Sequence, residues 1–223
     1  MGKQKVSGGQ VFISEADQYL FAQGTHYDIY KKLGAHISVE NGVKGMFFGV
    51  WAPNAASVHV IGTFNGWDEQ AHPMTKLGPG GIHTVFIPGV GEGELYKFLI
   101  TAPDGEKLYM GRNNRQNDEL TFRLASKGDI WLHAQKVHGS HVIIAANGRP
   151  VPDDTITQAA QLAAYHSELR LGKNVSVDVT PVKQIKRPPG AKPGMVIYHT
   201  YRTVIVNPYE NIVKEVETGK PRG

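Results

Sequence analysis

The sequence predicts two domains, an all-β immunoglobulin-like sandwich followed by an α+β domain. Three observations carry this. Between residues 46 and 101, short runs of aromatic and β-branched residues alternate with glycine- and proline-rich turns, the spacing of an antiparallel sandwich. Beyond Gly105 the pattern becomes mixed, with one strong helical stripe set among strand-like runs. The charge also breaks there. Residues 1–105 hold 7 lysines, no arginine and 9 acidic residues, whereas residues 106–223 hold 17 basic and 11 acidic residues, within a net charge of +4 over 223 residues. The length suits one large or two small domains.

The elements follow in order. Residues 1–11 read as a flexible leader. Residues 12–34 read as a lead-in with one short helix over His26–Leu33, capped by Thr25 and ended by Gly34. Met46–Trp51, Ser57–Ile61, Ile82–Ile87 and Leu95–Thr101 read as strands, divided by Pro53-Asn54, Asn65-Gly66, Gly78–Gly81 and Gly89–Gly93. Pro103-Asp-Gly105 is a strong turn and marks the expected boundary, giving a sandwich over 12–105 and a second domain over 106–210. Its expected strands are Lys107–Gly111, Leu120–Leu124, Ile130–His133, Val142–Ala146, Val175–Val179, Met195–Tyr198 and Thr203–Val206. A helix starts at Asp153 and Asp154 after Pro152, with Ile156, Ala159, Leu162, Ala163 and Leu169 on one stripe and Gly172 as its stop. Residues 184–194 contain three prolines and are neither helix nor central strand. Residues 211–223 form a charged tail.

Composition removes several function classes. With no cysteine there is no disulfide scaffold, thiolate zinc site or cysteine nucleophile. No apolar run nears the ~18 residues of a membrane span, and no apolar core follows the first lysines as in a signal peptide, so a cytoplasmic protein without membrane partners is expected.

In the first half, Gly62-Thr-Phe-Asn-Gly-Trp67 places a ring beside a tight Asn-Gly turn, where it can stack on a sugar face. Trp67, with Lys97 and Asn65, forms the candidate carbohydrate site; the alternative for Trp67 is sandwich core, and for Trp51 core is the preferred reading. Here residues ~12–102 resemble the non-catalytic glycogen-binding-type β-sandwich of α-glucan branching enzymes. The resemblance lies in Tyr19–Tyr27, Lys32-Leu-Gly-Ala-His36, Val50-Trp-Ala-Pro-Asn54, Phe64-Asn-Gly-Trp67, His72-Pro-Met74 and Ile87–Lys97. It implies an α-glucan partner. Two departures bear on this: Thr63 stands where the family often has Asp, and Ala102–Leu108 lacks a second tryptophan. A branching reaction needs a catalytic barrel for which this chain has no room.

In the second half, Gly111-Arg-Asn-Asn-Arg-Gln-Asn-Asp118 offers guanidinium forks suited to phosphate and amides suited to bases or sugars; a plain surface turn is the alternative. The basic loop of Lys183, Lys186, Arg187 and Lys192, stiffened by Pro188, Pro189 and Pro193, suits a phosphate backbone. His133, His138 and His141 crowd together, yet no acidic partner stands at a standard ligand spacing, so no metal is expected. Ser140–His141 makes a poor nucleophile pair because adjacent side chains rarely face each other.

Residues ~106–208 resemble the NFACT-R domain of RqcH-type proteins, also known as fibronectin-binding proteins. The match lies in Gly111–Asp118, Asp129-Ile-Trp-Leu-His133, Gly139-Ser-His-Val142, Ala159–Tyr165 and Lys186–Val196, with His138 where the family usually has proline. It implies RNA binding to tRNA and the large ribosomal subunit in ribosome-associated quality control. The expected RNA-binding residues are Arg112, Asn113, Asn114, Arg115, Asn117, His133, His141, Lys186, Arg187 and Lys192. The two resemblances meet at Asp104-Gly105-Glu106-Lys107 with hardly any linker, the arrangement of a chimera. The expectation is a non-catalytic protein of two binding modules, without cofactor, whose leading partner is RNA and whose alternative partner is α-glucan.

Overall fold

The computed structural model describes residues 12–23, 25, 26 and 28–208. The expected leader 1–11 and tail 211–223 lie outside them. Helix α1 (Glu15–Ala22) comes first, then strands β1 (Gly34–Glu40), β2 (Val43–Trp51), β3 (Ser57–Gly62), β4 (Thr75–Leu77), β5 (Ile82–Pro88), β6 (Tyr96–Thr101) and β7 (Lys107–Met110). Helix α2 (Asn114–Glu119) runs into a π turn at Leu120–Leu124; β8 (Ile130–Ala134), β9 (Val142–Ile144), α3 (Asp153–Tyr165), β10 (Val175–Pro181) and β11 (Arg202–Val206) complete the chain.

A four-stranded antiparallel sheet, in the order β1-β2-β5-β4, faces a seven-stranded sheet in the order β11-β10-β8-β9-β7-β6-β3. The architecture is thus an all-β sandwich followed by an α+β domain, and the long sheet belongs to both. Register carries the pleat across it: Phe98 pairs with Met110, Met110 with Val142, Val142 with Leu132, and Val177 with Ala134. All of these side chains point to one face, where Met46, Phe48 and Val50 of β2 and Ala159, Leu162 and Ala163 of α3 join them in a single core cluster. The small sheet covers one half of that face and α3 the other. The expected boundary at 105/106 falls in the tight hairpin between β6 and β7, where the Ala102 and Gly105 amides donate to Glu106 and Ala102 carbonyls at 2.9 Å. Gly105 has φ +87°, which asks for glycine.

A second cluster lies at the end of β2. Trp51 is 1 % exposed, donates its indole N–H to the Gly80 carbonyl at 3.0 Å, and has Tyr165 of α3 with ring centroids 4.3 Å away. Phe21 of α1 closes on both rings edge-on. The core reading of Trp51 therefore holds, and α3 is locked to the sandwich through it.

Six elements depart from the sequence expectation. Helix α3 ends at Tyr165, short of the expected Leu169 and Gly172, and the short strand β4 was not expected. The first helix is Glu15–Ala22, capped reciprocally by Ser14 and Asp17, whereas the described residues 28–33 of the expected helix make a 3₁₀ turn at Ile29–Lys31. Strand β1 and its Asn41-Gly42 turn, at φ 50° and 80°, were hidden because Gly34–Glu40 is short of large apolar residues. Leu120–Leu124 alternates like a strand but continues α2, because Asn113 caps that helix and Leu120 packs on Trp131 and Ile143. Met195–Tyr198 contributes only an isolated bridge, Lys186 to Ile197, because the prolines around it withhold ladder donors.

Candidate nucleic-acid interface and carbohydrate face

The face of the long sheet opposite the core carries the candidate residues. Strand alternation sends Lys97 and Leu99 of β6, Tyr109 of β7, Ile143 of β9, and Trp131 and His133 of β8 to it. α2 and its π turn cross this face as a ridge, with Leu120 on Ile143 and Trp131. A hollow opens on either side.

On the sandwich side, a hollow of about 330 Å³ is lined by Trp67, Glu69, Lys97, Tyr109, Asp129 and Asn147 among others, drawn from both halves. Asn65 builds it without facing it. Its carbonyl accepts from the Gly62 amide at 2.8 Å, and its amide donates to the Val60 carbonyl at 3.1 Å and faces His72 at 2.9 Å. The turn then holds Trp67 at φ +65°, a conformation that costs a bulky residue free energy and marks sites where ring placement matters. The Lys97 ammonium sits 4.1 Å from the Trp67 ring centroid. Burial pushes the Lys97 amine down to about 8, against the opposing pull of Glu119 and Glu69. Glu69 is hydrogen-bonded by Lys107 and Tyr109. The expectation for this site omitted Glu69, Tyr109, Asp129 and Asn147; only the β6–β7 register, which puts Tyr109 opposite Leu99, brings Tyr109 beside Lys97.

This geometry predicts a tryptophan emission signal that titrates with a midpoint near pH 8, as the cation over Trp67 is lost. The signal is expected to vanish in Lys97→Met and in Trp67→Phe. A titration unchanged in Lys97→Met would show that another group drives it.

On the other side, a groove of about 490 Å³ runs over Trp131, His133, Lys136, His138, His141 and Tyr198, with Asn114 and Met195 at its margin. Trp131 is fully buried and forms the floor; His133 stacks on it with centroids 5.6 Å apart, and Tyr198 leans on it at 5.0 Å. Tyr198 is fixed by its O–H to Asp178 at 2.8 Å. The proline-stiffened loop docks on α2: Arg187 pairs with Asp118 at 2.6 Å and lies over Phe122, and Gly194 packs against Asn114. The loop and the Asn/Arg run, 69 residues apart in sequence at the Arg187–Asp118 pair, thus meet at one rim, which leaves Arg115, Lys186 and Lys192 exposed.

Several of the other expected residues are also tied into the fold. Asn117 is buried, donates to the Gly139 carbonyl at 2.9 Å and accepts from the His141 amide at 3.0 Å. His141 lies against Thr121 at 2.7 Å; burial, with His133 beside it, drives its pKa down to about 3. Burial also lowers His133. The Asn113 carbonyl caps α2 by accepting from the Gln116 amide. The Arg112 guanidinium turns away from the groove toward His166. Among the described residues no group of three or more His, Asp or Glu side chains is placed to hold a metal ion, and no helix is long and apolar enough to cross a membrane. Lys136, His138 and Tyr198 were absent from the expected set; Tyr198 reaches the groove because the loop before it folds back over β8.

The comparisons divide along the same lines. Residues 32–112 match the model of carbohydrate-binding module 48, the isoamylase N-terminal domain. Residues 95–200 match that of the NFACT protein RNA binding domain. The chain is 71 % identical over 100 residues to a 1,4-α-glucan branching enzyme of Butyrivibrio fibrisolvens, covering 45 % of this chain and 16 % of that protein. It is 53 % identical over 94 residues to one from Synechococcus sp., covering 42 % and 12 %. The chain therefore spans about a sixth or less of these relatives. A solved C-terminal structure of the fibronectin/fibrinogen-binding protein from Streptococcus suis aligns with 44 % identity and a TM-score of 0.48, covering 52 % of this chain and 48 % of that one. The two family matches overlap at residues 95–112, across the β6–β7 hairpin, so that one chain matches both family models through a shared pair of strands.

Proposed function

We propose that the chain is a non-catalytic, cytoplasmic binding protein that engages structured RNA, tRNA or large-subunit ribosomal RNA in ribosome-associated quality control, along the groove beside α2. The observation that carries this is the juxtaposition of stacking surface and unpaired cations. His133 and Tyr198 line a groove whose rim holds exposed Arg115, Lys186 and Lys192, and among the described residues none of these three has a carboxylate within ion-pair distance. Cations on a rim bind phosphates without reading sequence, while half-open rings take unpaired bases.

The test is titration of a labelled tRNA at several salt concentrations. The triple variant Arg115→Ala/Lys186→Ala/Lys192→Ala should lower the slope of log affinity against log salt by about 0.7–0.9 per lost phosphate contact. His133→Ala and Tyr198→Ala should each weaken binding by about 1–3 kcal/mol, with little change in slope. Unchanged affinity and slope in the triple variant would reject the groove.

The hollow under Trp67 supports a second reading, an α-glucan ligand. Trp67→Ala should then release the protein from a glycogen column while the sandwich stays folded, because the ring is only half-buried and outside the core clusters. An unmodified chain that is not retained would reject this reading.

A further inference from the structure

A third hollow, of about 310 Å³, lies where the two halves meet, apart from the candidate carbohydrate face but next to the groove, with which it shares Asn114, His138, Gly139 and Glu168. Tyr30 and Leu33 close it from the sandwich side; Arg112, Asn114, Ser140 and Arg170 line it from the other. Arg112 is its unusual member. Its side chain lies inside the protein, close to the backbone at Gly34 and the Tyr96 hydroxyl, and its Nε is fully covered without a hydrogen-bond partner. No carboxylate of the described residues lies within ion-pair distance of it. Its guanidinium also lies against Nδ1 of His166. Burial first, and the Arg112 charge second, hold that imidazole neutral, so it can accept a hydrogen bond but cannot balance the charge. Arg170 faces the same hollow, stacked on Tyr30 at 4.0 Å, and is also without a carboxylate at ion-pair distance. Glu168 is the one acidic residue on the lining and is exposed.

A buried cation without a counter-charge is costly, and a fold keeps one when something else supplies the charge. Guanidinium forks match the oxygens of a tetrahedral oxyanion better than any other common partner, and Asn114 and Ser140 add polar groups beside them. We propose that this hollow binds a phosphate group, anchored by Arg112 and capped by Arg170. The volume leaves room for a ribose behind it. The group can come from a free phosphomonoester or from the terminal phosphate of an RNA. The site stands whether or not the neighbouring groove binds RNA.

The first experiment is thermal unfolding against inorganic phosphate at constant ionic strength, with chloride as the replaced ion, alongside ³¹P line broadening. A saturable rise in Tm is expected, reached at lower concentration with ribose 5-phosphate. Arg170→Gln should weaken the apparent affinity about tenfold. Arg112→Met should abolish it, and in phosphate-free buffer should unfold no earlier than the unmodified chain, because it removes a charge that nothing else compensates. A purely structural arginine would lose stability there and leave the phosphate response of Arg170→Gln unchanged. The second experiment compares an RNA oligonucleotide bearing a 5′-phosphate with its dephosphorylated twin. A preference that Arg170→Gln removes assigns the source to RNA, and equal binding assigns it to the free ester. A Tm rise that does not saturate, or that persists unchanged in both variants, is a bulk salt effect and overturns the proposal.

Discussion

Tyr165→Ala should destabilise both halves together, by about 3–5 kcal/mol, the range for deleting a large buried aromatic ring. At the size of this chain that is a fall in Tm of about 10 °C. Tyr165 belongs to α3, but its ring is counted with Phe21, Trp51 and Ile82 in the cluster beneath the sandwich. Its loss opens a cavity there while α3 loosens over the long sheet. Because the sheet and the principal core run without interruption through the β6–β7 hairpin, unfolding should be one transition. Trp51 and Trp131, one in each half, report on it separately: single-tryptophan variants retaining either one should give coincident curves. Two transitions, of which only the later half's moves in Tyr165→Ala, would mean that the halves fold independently.

The second large effect is acid sensitivity. His83, His133, His141 and His166 are all held below the ordinary histidine range, in each case chiefly by burial, with His83 near 4 and His141 near 3. The sign follows from linkage. A group whose folded pKa is depressed binds its proton first in the unfolded chain, so stability is complete above about pH 6.5 and falls as pH drops towards the folded values. Each histidine contributes about 1.4 kcal/mol per pH unit within its own window. Asp17 acts lower down. Burial opposes its ionisation, but hydrogen bonds from Lys32, Ser14 and His26 outweigh this and hold it well below the carboxylate range. Its contribution is therefore intact across the histidine window and is lost only as pH falls below ordinary carboxylate values. Denaturant midpoints at pH 7.5, 6.0 and 5.0 should fall steeply, and His83→Gln should flatten the profile. A midpoint constant from pH 7.5 to 5.0 would contradict the buried, neutral assignment.

The long strands of the fold were legible because alternation and turn residues act locally. Val175–Val179 and the Pro103–Gly105 turn needed no tertiary partner to be read. What escaped was set by contacts distant in sequence. Leu120–Leu124 has strand-like alternation, and only the docking of Leu120 on Trp131 makes it continue a helix. The polar run Gly111–Asp118 reads as an exposed turn from its composition, yet Gln116 and Asn117 lie inside and tie α2 down, and Arg112, partly covered, reaches into the seam between the halves. The meeting of that run with the proline-stiffened loop depends on Arg187–Asp118 and Gly194–Asn114, pairs no local pattern announces. Of the candidate carbohydrate face, Trp67 and Lys97 were visible as residues, but the cation resting on the ring was not.

The shared sheet also sets distance. Lys97, Tyr109, Ile143 and Trp131 stand on four neighbouring strands of one face, and strands lie ~4.8 Å apart, so Lys97 in one hollow and Trp131 under the other stand on strands about 14 Å apart. A flexible tether between two modules lets each partner be held at any angle. A stiff bracket of this width does not: both mouths open towards the same side, closer together than the ~20 Å diameter of a nucleic-acid duplex. On the two readings proposed above, a branched polysaccharide in one hollow and a folded RNA in the other would overlap in space, so that occupation of either would shade its neighbour without any change in the protein's shape.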